Sequence, residues 1–318
     1  MAVYTHVSAE EMERLLARYD SGTLVSAKGI AEGVENSNFL VETTKDRFIL
    51  TLYEKRVSAD DLPFFLALLD HLAAHGNPVP PAIADRDGVK IQKVGGRPAC
   101  LIEFLPGVSL SHPTPAQARA AAAEMGRMHR ALVDFDHTRV NTMGIDVWPE
   151  LLERCGSDLD TIAPGLFARV QDALSAVRAA WPAALPVSAI HADLFPDNVL
   201  MLSDVVTGLI DFYFACTDVR AYDLAVMHSA WTFDSAGAPA DPSVGRALIG
   251  GYEETFTLSA EERAALPVLA RGACIRFLLT RAWDWLNTPP DALVTRKDPL
   301  AYLRRLEFYE KHGAELFA

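Results

Sequence analysis

Two kinds of hydrophobic pattern divide the chain, and the change falls near Pro106. A short amphipathic helix at 8–19 comes first, opened by Ser8 as capping residue and carrying Met12, Leu15 and Leu16 on one side. Residues 24–30, 38–43 and 47–53 are then β-rich or alternate apolar with polar side chains, with Gly33 and the pair Lys45 and Asp46 at the connections, and they predict three strands. Pro63 suits the first turn of a helix in which Leu62, Phe65, Leu66, Leu69, Leu72 and Ala73 recur at helical spacing until Gly76 stops it. Pro78, Pro80 and Pro81 break the chain, and strands at 89–94 and 99–104 complete a small antiparallel sheet. Beyond Leu105, Pro106 and Gly107 the period is helical: 116–133, with Ala121, Met125, Met128 and Leu132 on one side, then 149–152, 165–181, 242–255, 260–285 and 299–312. The pattern predicts an α+β chain of two lobes: a strand-rich N-terminal lobe over 1–104 and a larger, mainly helical C-terminal lobe over 105–318. The hinge falls at about 103–107, and the lobes flank a cleft suited to aligning two small molecules.

One ribbon interrupts the helical part. Residues 199–202 and 205–210 are short aliphatic runs separated by Ser203 and Asp204, which reads as two antiparallel strands joined by a tight turn. The loop feeding it runs His191, Ala192, Asp193, Leu194, Phe195, Pro196, Asp197, Asn198, and Asp211 follows the second strand. A hairpin of that length returns Asn198 and Asp211 to one end, with Asp193 in the loop before it; Pro196 argues against a helix there. Phosphoryl transfer needs a carboxylate to receive the nucleophile's hydroxyl proton and oxygen ligands to hold Mg²⁺ against the phosphates. Taken singly, Asp, Asn and His are common loop formers, and His191 reads as a brace that holds the loop by hydrogen bonds. Taken together in their strand context, Asp193 is the catalytic carboxylate and Asn198 and Asp211 are the metal ligands of a kinase.

Composition narrows the partners. With 318 residues, 50% hydrophobic and 22% charged, the chain is an ordinary globular one. Twenty-nine basic against 42 acidic side chains leave a net charge of −13, which repels nucleic acid and anionic membranes and favours a small-molecule substrate. Cys100, Cys155, Cys216 and Cys274 lie far apart and suggest neither a zinc site nor a disulfide framework. The N-terminus lacks the apolar core of a signal peptide and no apolar run reaches membrane-spanning length, so a reduced, cytoplasmic protein is expected, with its oligomeric state open.

Four stretches carry a resemblance: 33–39 (Gly, Val, Glu, Asn, Ser, Asn, Phe) with 48–54 (Phe, Ile, Leu, Thr, Leu, Tyr, Glu); Asp61, Leu62, Pro63, Phe64, Phe65; the His191–Phe195 segment through Asp211, Phe212, Tyr213; and Arg276, Phe277, Leu278, Leu279, Thr280, Arg281. With these the chain resembles the aminoglycoside phosphotransferase and choline kinase group, which shares the protein-kinase-like bilobal fold, and within it the bacterial homoserine kinases. The resemblance implies ATP- and Mg²⁺-dependent phosphorylation of the side-chain hydroxyl of L-homoserine to O-phospho-L-homoserine, a step of threonine biosynthesis. It implies that Asp193 is catalytic, that Asn198 and Asp211 hold magnesium, that the adenine bonds to backbone at Glu103, Phe104 and Leu105, and that Asp223 braces the catalytic loop.

For 33–39, with Gly33, Asn36, Ser37 and Asn38, two readings stand: main-chain amides that cover phosphates, or a plain hairpin turn. It is not a P-loop, since the Gly-Lys-Ser/Thr ending and the following helix are missing. The third-strand Lys or Arg usual in the group is Thr51 here, its acidic helix partner is reduced to Asp60 and Asp61, and Lys28, Lys55 and Arg56 are either replacement cations or solvated charges. Asp211, Phe212 and Tyr213 lack the glycine that usually follows the aspartate, which argues against a mobile activation segment. In 274–285, Arg281 and Asp284 share a helix face and Arg276 lies off it; the pair either grips the carboxylate and ammonium of an amino acid or forms a salt bridge along the helix. Tyr213 is either an acceptor contact or packing. The rival readings are a kinase of choline, an amino sugar or another small hydroxyl compound, and a nucleotide-binding pseudokinase whose only support is the missing lysine.

Overall fold

The computed structural model describes residues 5–30, 36–54, 58–288 and 296–317. The chain forms two compact units, Met1–Pro106 and Gly107–Ala318. In the first, α1 (Ala9–Leu16) begins at a capping box between Ser8 and Glu11 and buries Met12, Leu15 and Leu16. Strands β1 (Leu24–Ile30), β2 (Asn36–Thr43) and β3 (Arg47–Tyr53) follow, then α2 (Leu62–Ala74), β4 (Gln92–Val94) and β5 (Arg97–Glu103). The sheet runs β1-β2-β3-β5-β4 and every neighbouring pair is antiparallel. Leu50 and Leu52 of β3 lie at the centre of its core with Val41, Leu101, Met12 and Leu16.

Two strands depart from the sequence pattern. β2 starts at Asn36, two residues early, because Asn36, Ser37 and Asn38 sit in register with Tyr53, Leu52 and Thr51 and extend the ladder. β4 keeps only the last part of 89–94, because the Asp85 carboxylate accepts the N–H groups of Asp87 at 3.0 Å and Val89 at 2.8 Å and folds the preceding residues into a turn.

In the second unit α3 (Pro115–Ala131), α4 (Trp148–Cys155), α5 (Leu159–Ile162) and α6 (Leu166–Ala180) lead to β6 (Val187–Ile190), the hairpin β7 (Val199–Leu202) and β8 (Val205–Leu209), and β9 (Cys216–Val219), which pairs with β6. Then come α7 (Arg220–Trp231), α8 (Pro242–Thr255), α9 (Ala260–Asn287) and α10 (Leu300–Leu316). The pattern did not predict β6, β9 or α7. From Ala221 to Trp231 every residue of α7 is buried, so no polar face exists to reveal a helical period. No helix among the described residues is long and apolar enough to cross a membrane.

Small residues set how close the helices come. A Cβ on Gly251 of α8 would overlap the Arg119 carbonyl of α3, and one on Gly126 of α3 would lie 2.9 Å from the Tyr252 carbonyl of α8. The backbones therefore touch where side chains would hold them apart. Although alanine is the better helix former, Gly251→Ala is expected to destabilise the protein by roughly 1–3 kcal/mol through overpacking, read as a lower urea midpoint at unchanged slope.

α7 is tied to α10 by His228, whose Nδ1 meets the Tyr309 hydroxyl at 2.6 Å in full burial. Burial pushes this imidazole down to about 3, so it stays neutral in the fold while the unfolded chain takes up a proton near pH 6.5. Its contribution is complete above that value and is lost as pH falls. Between pH 7 and 5 the loss should be about 2 kcal/mol, and His228→Gln should show a correspondingly shallower fall in unfolding free energy over the same range.

Candidate active site

The chain turns sharply as it leaves β6. Ala192 takes a left-handed φ of 63°, an uncommon choice for a residue with a Cβ. Both neighbouring amides are spoken for: His191 N donates to Asp223 Oδ2 and Ala192 N to Asp223 Oδ1, each at 2.8 Å. Asp223 is fully buried on α7, and its Oδ2 also meets His129 Nε2 of α3 at 3.1 Å, whose Nδ1 lies 2.8 Å from the Tyr252 hydroxyl of α8. Burial opposes the charge on Asp223, yet the hydrogen bond and charge of His129 and the donated amides hold its carboxyl below the usual range. About two turns along α7, Trp231 donates its indole N–H to Leu194 O at 2.9 Å. One helix thus holds the loop on both sides of Asp193.

His191 fixes the same loop from within. Its Nε2 faces the Ile210 carbonyl at 3.0 Å, and a carbonyl can only accept, so Nε2 carries the proton and Nδ1 accepts from Asp193 N at 3.3 Å. Burial lowers the imidazole below its ordinary value and keeps it neutral.

The hairpin completes the set. Asn198 ends a single 3₁₀ turn, Pro196–Asn198, and its Nδ2 donates to Asp193 O at 2.7 Å and to Asp193 Oδ2 at 3.3 Å. Ile210 N donates to Asn198 O at 3.1 Å, which closes the ribbon and sets Asp211 (φ 66°) beside it. With Nδ2 spent on Asp193, Oδ1 is the amide atom of Asn198 that can serve a cation. Burial pushes the Asp193 carboxyl up to about 8; Arg276 pulls it down, and the like charges of Asp211 and Asp197 add to the rise. An amide oxygen with carboxylates that repel one another is a hard-donor set suited to Mg²⁺.

Arg276 on α9, which the sequence pattern had placed off the substrate-facing side, reaches this loop: it is 2% exposed and its Nη1 donates to Ala192 O at 2.5 Å. Its only signal in the sequence was a lone charge within an apolar run, which needs a partner when buried. His129 and Trp231 carried no such signal. The Arg281 guanidinium lies 4.5 Å over the Tyr302 ring and donates to Asp298 O at 3.4 Å, with these, and not an ion pair, as its contacts among the described residues. Burial lowers Arg281, while the Tyr302, Asp298 and Asp193 groups oppose that. Lys297 also puts positive charge near Asp193. Asp284 is exposed, and Tyr213 is half-buried in the 3₁₀ turn after Asp211.

In the N-terminal unit, Asn36, Ser37 and Asn38 belong to β2 and not to an open loop, and their side chains face internal partners. Thr51 Oγ1 donates to Asn38 Oδ1 at 2.7 Å, Ser37 Oγ donates to Glu54 Oε1 at 2.8 Å, and Asn36 Oδ1 accepts from Glu54 N at 3.4 Å. At the third-strand position a neutral, buried Thr51 stands hydrogen-bonded where a cation was looked for. Gly33, Lys55 and Arg56 lie outside the described residues, and Lys28 is exposed on β1. Glu103 ends β5 with its N–H 3.3 Å from Pro81 O, the Phe104 ring lies 4.6 Å from the Arg47 guanidinium, and Leu105 is half-buried.

An antiparallel sheet followed by a helical unit that holds an Asp, Asn and Asp constellation on a β-ribbon defines a phosphotransferase, and the chain belongs to the phosphotransferase enzyme family, whose pattern matches residues 26–264. It is similar over nearly its whole length to the homoserine kinases of Zymomonas mobilis (53% identical over 318 residues, 99% of each chain) and Azorhizobium caulinodans (53% over 309 residues, 97% of this chain and 96% of the relative). Its fold is shared with a microcompartment-associated aminopropanol kinase, at a TM-score of 0.69 and 20% identity over 98% of this chain and 99% of that one.

Proposed function

We propose that the chain is an ATP-dependent kinase that phosphorylates the side-chain hydroxyl of L-homoserine. The observation that carries this reading is the identity with homoserine kinases at about half of all positions along nearly the full length of both chains. In the reaction the homoserine oxygen bonds to the γ-phosphorus, the bond from that phosphorus to the bridging oxygen of ADP breaks, and the hydroxyl proton passes to Asp193. A carboxyl pushed upward by burial is a stronger base, and the Asn198 amide holds the residue in place by donating to its main-chain carbonyl and to its Oδ2. Asn198 Oδ1 and the Asp211 carboxylate would hold Mg²⁺, which neutralises phosphate charge when bound. The adenine would bond to backbone at 103–105, and any part that Asn36, Ser37 and Asn38 take at the phosphates would be through the main chain, since their side chains are engaged elsewhere.

The acceptor is set by Arg281. A guanidinium held over an aromatic ring and within the field of Asp193 suits an acceptor that carries a carboxylate. A quaternary ammonium such as choline would meet like charge there.

In an assay of ADP formation across a panel of small hydroxyl compounds, L-homoserine with Mg²⁺ should be the acceptor that drives turnover. Asp193→Asn should lower kcat on the order of 10²–10⁴-fold with the circular dichroism spectrum unchanged. Activity within about a factor of two of the parent would remove Asp193 from the chemistry. Arg281→Ala should raise KM for homoserine roughly 10–100-fold and leave KM for ATP in place. Equal shifts in both constants, or none in either, would count against the carboxylate assignment.

A further inference from the structure

The peptide unit between Ala192 and Asp193 aims the catalytic carboxylate, because its rotation sets ψ of Ala192 and φ of Asp193 together. Ala192 is in the left-handed region through its φ, which the preceding peptide sets where Asp223 holds the Ala192 amide; the orientation of the next peptide is a separate matter. The amides before it are held by Asp223, whose hydrogen bonds to the loop among the described residues end at Ala192 N. On the peptide itself, the N–H meets His191 Nδ1 at a long 3.3 Å, and the carbonyl oxygen receives Arg276 Nη1 at 2.5 Å. Arg276 is therefore the stronger of the two hands on it.

The surroundings of Arg276 do not explain it as packing. Its guanidinium lies 4.6 Å from the Phe277 ring and 5.4 Å from the Phe214 ring, and its Nε has no hydrogen-bond partner. Among the described residues it forms no ion pair; its polar surroundings are the Ala192 carbonyl, the Tyr222 hydroxyl and the field of Asp193, and of these the carbonyl belongs to the peptide that precedes Asp193. A methionine would fill that space without desolvating a charge. What methionine lacks is a donor.

We propose that Arg276 is a positioning residue of this kinase: from α9 it locks the carbonyl of Ala192 and so holds the Ala192–Asp193 peptide in the orientation that presents the Asp193 carboxylate to the acceptor hydroxyl. This rests on the kinase reading, and the two fail differently. Absence of homoserine-dependent ADP formation by the parent protein overturns the function, whereas the comparison of variants below bears on Arg276 alone.

The experiment compares Arg276→Met, Arg276→Gln and Arg276→Lys. The Met variant should fold with a melting temperature equal to or above the parent's, lose on the order of 10²-fold in kcat, and keep both KM values within about threefold. Gln and Lys, each able to donate to the carbonyl, should each recover at least about tenfold of that loss. Independently of activity, backbone amide exchange at 192–193 should quicken on the order of tenfold in the Met variant while α9 amides stay protected. The proposal is overturned by a folded Met variant with parental kcat, by a loss carried in KM, or by recovery in Lys and not in Gln, which would make charge and not anchoring the cause. If the Met variant does not fold, Gln and Lys decide: a kcat in both within tenfold of the parent upholds the anchor, and a greater loss in either refutes it.

Discussion

The carboxylate of Asp223 accepts two consecutive main-chain N–H groups and the ring of His129 at the same time, and much of the C-terminal unit is arranged so that it can. A charge with no solvent contact is stable only when every lone pair it presents is engaged. Here the partners come from three directions: α3 through His129, α8 behind it through Tyr252, and the turn after β6 through its amides. The close approach of α3 and α8 at Gly126 and Gly251 sets the separation at which His129 and Tyr252 meet. What Asp223 receives in return is a turn held open in a conformation that Ala192 would not choose alone.

The same logic of satisfied polarity governs the N-terminal unit, with the opposite outcome. Where related kinases are expected to carry a cation on the third strand, Thr51 and Asn38 face one another across the β2–β3 ladder and complete each other's hydrogen bonding without any charge. Three residues on, the side chain of Glu54 is met by Ser37, by Thr5 and by Arg97 at 3.2 Å. Removing both members of a buried ion pair leaves no orphan, whereas removing one would. The missing lysine is thus compatible with a working kinase, because its place has been neutralised and not vacated.

At the site itself, carboxylates lie within one another's field. Asp193 feels Asp211 and Asp197 as like charges, and is answered by Arg276 and Lys297. Such tension is common where chemistry occurs, since groups held against their preference need little rearrangement when the charge of the reaction develops.

Much of this was legible in the residues alone. The alternation of 24–30 and 47–53, the helical spacing after Pro63 and the β-ribbon from Val199 depend on local periodicity, which a side chain's own polarity and shape report directly. So does the grouping of Asp193, Asn198 and Asp211, because a short hairpin returns its ends to one place whatever surrounds it. What local pattern could not report were features created by burial on all sides. α7 has no polar face to betray it, Asn36, Ser37 and Asn38 look like a turn until β3 supplies a ladder for them, and His129, Trp231 and Arg276 sit 37 or more residues from the partners they bond. The sequence determined which groups gather at the end of the ribbon; the tertiary structure decided how they are aimed, because the hydrogen bonds that aim them join residues that only folding brings together.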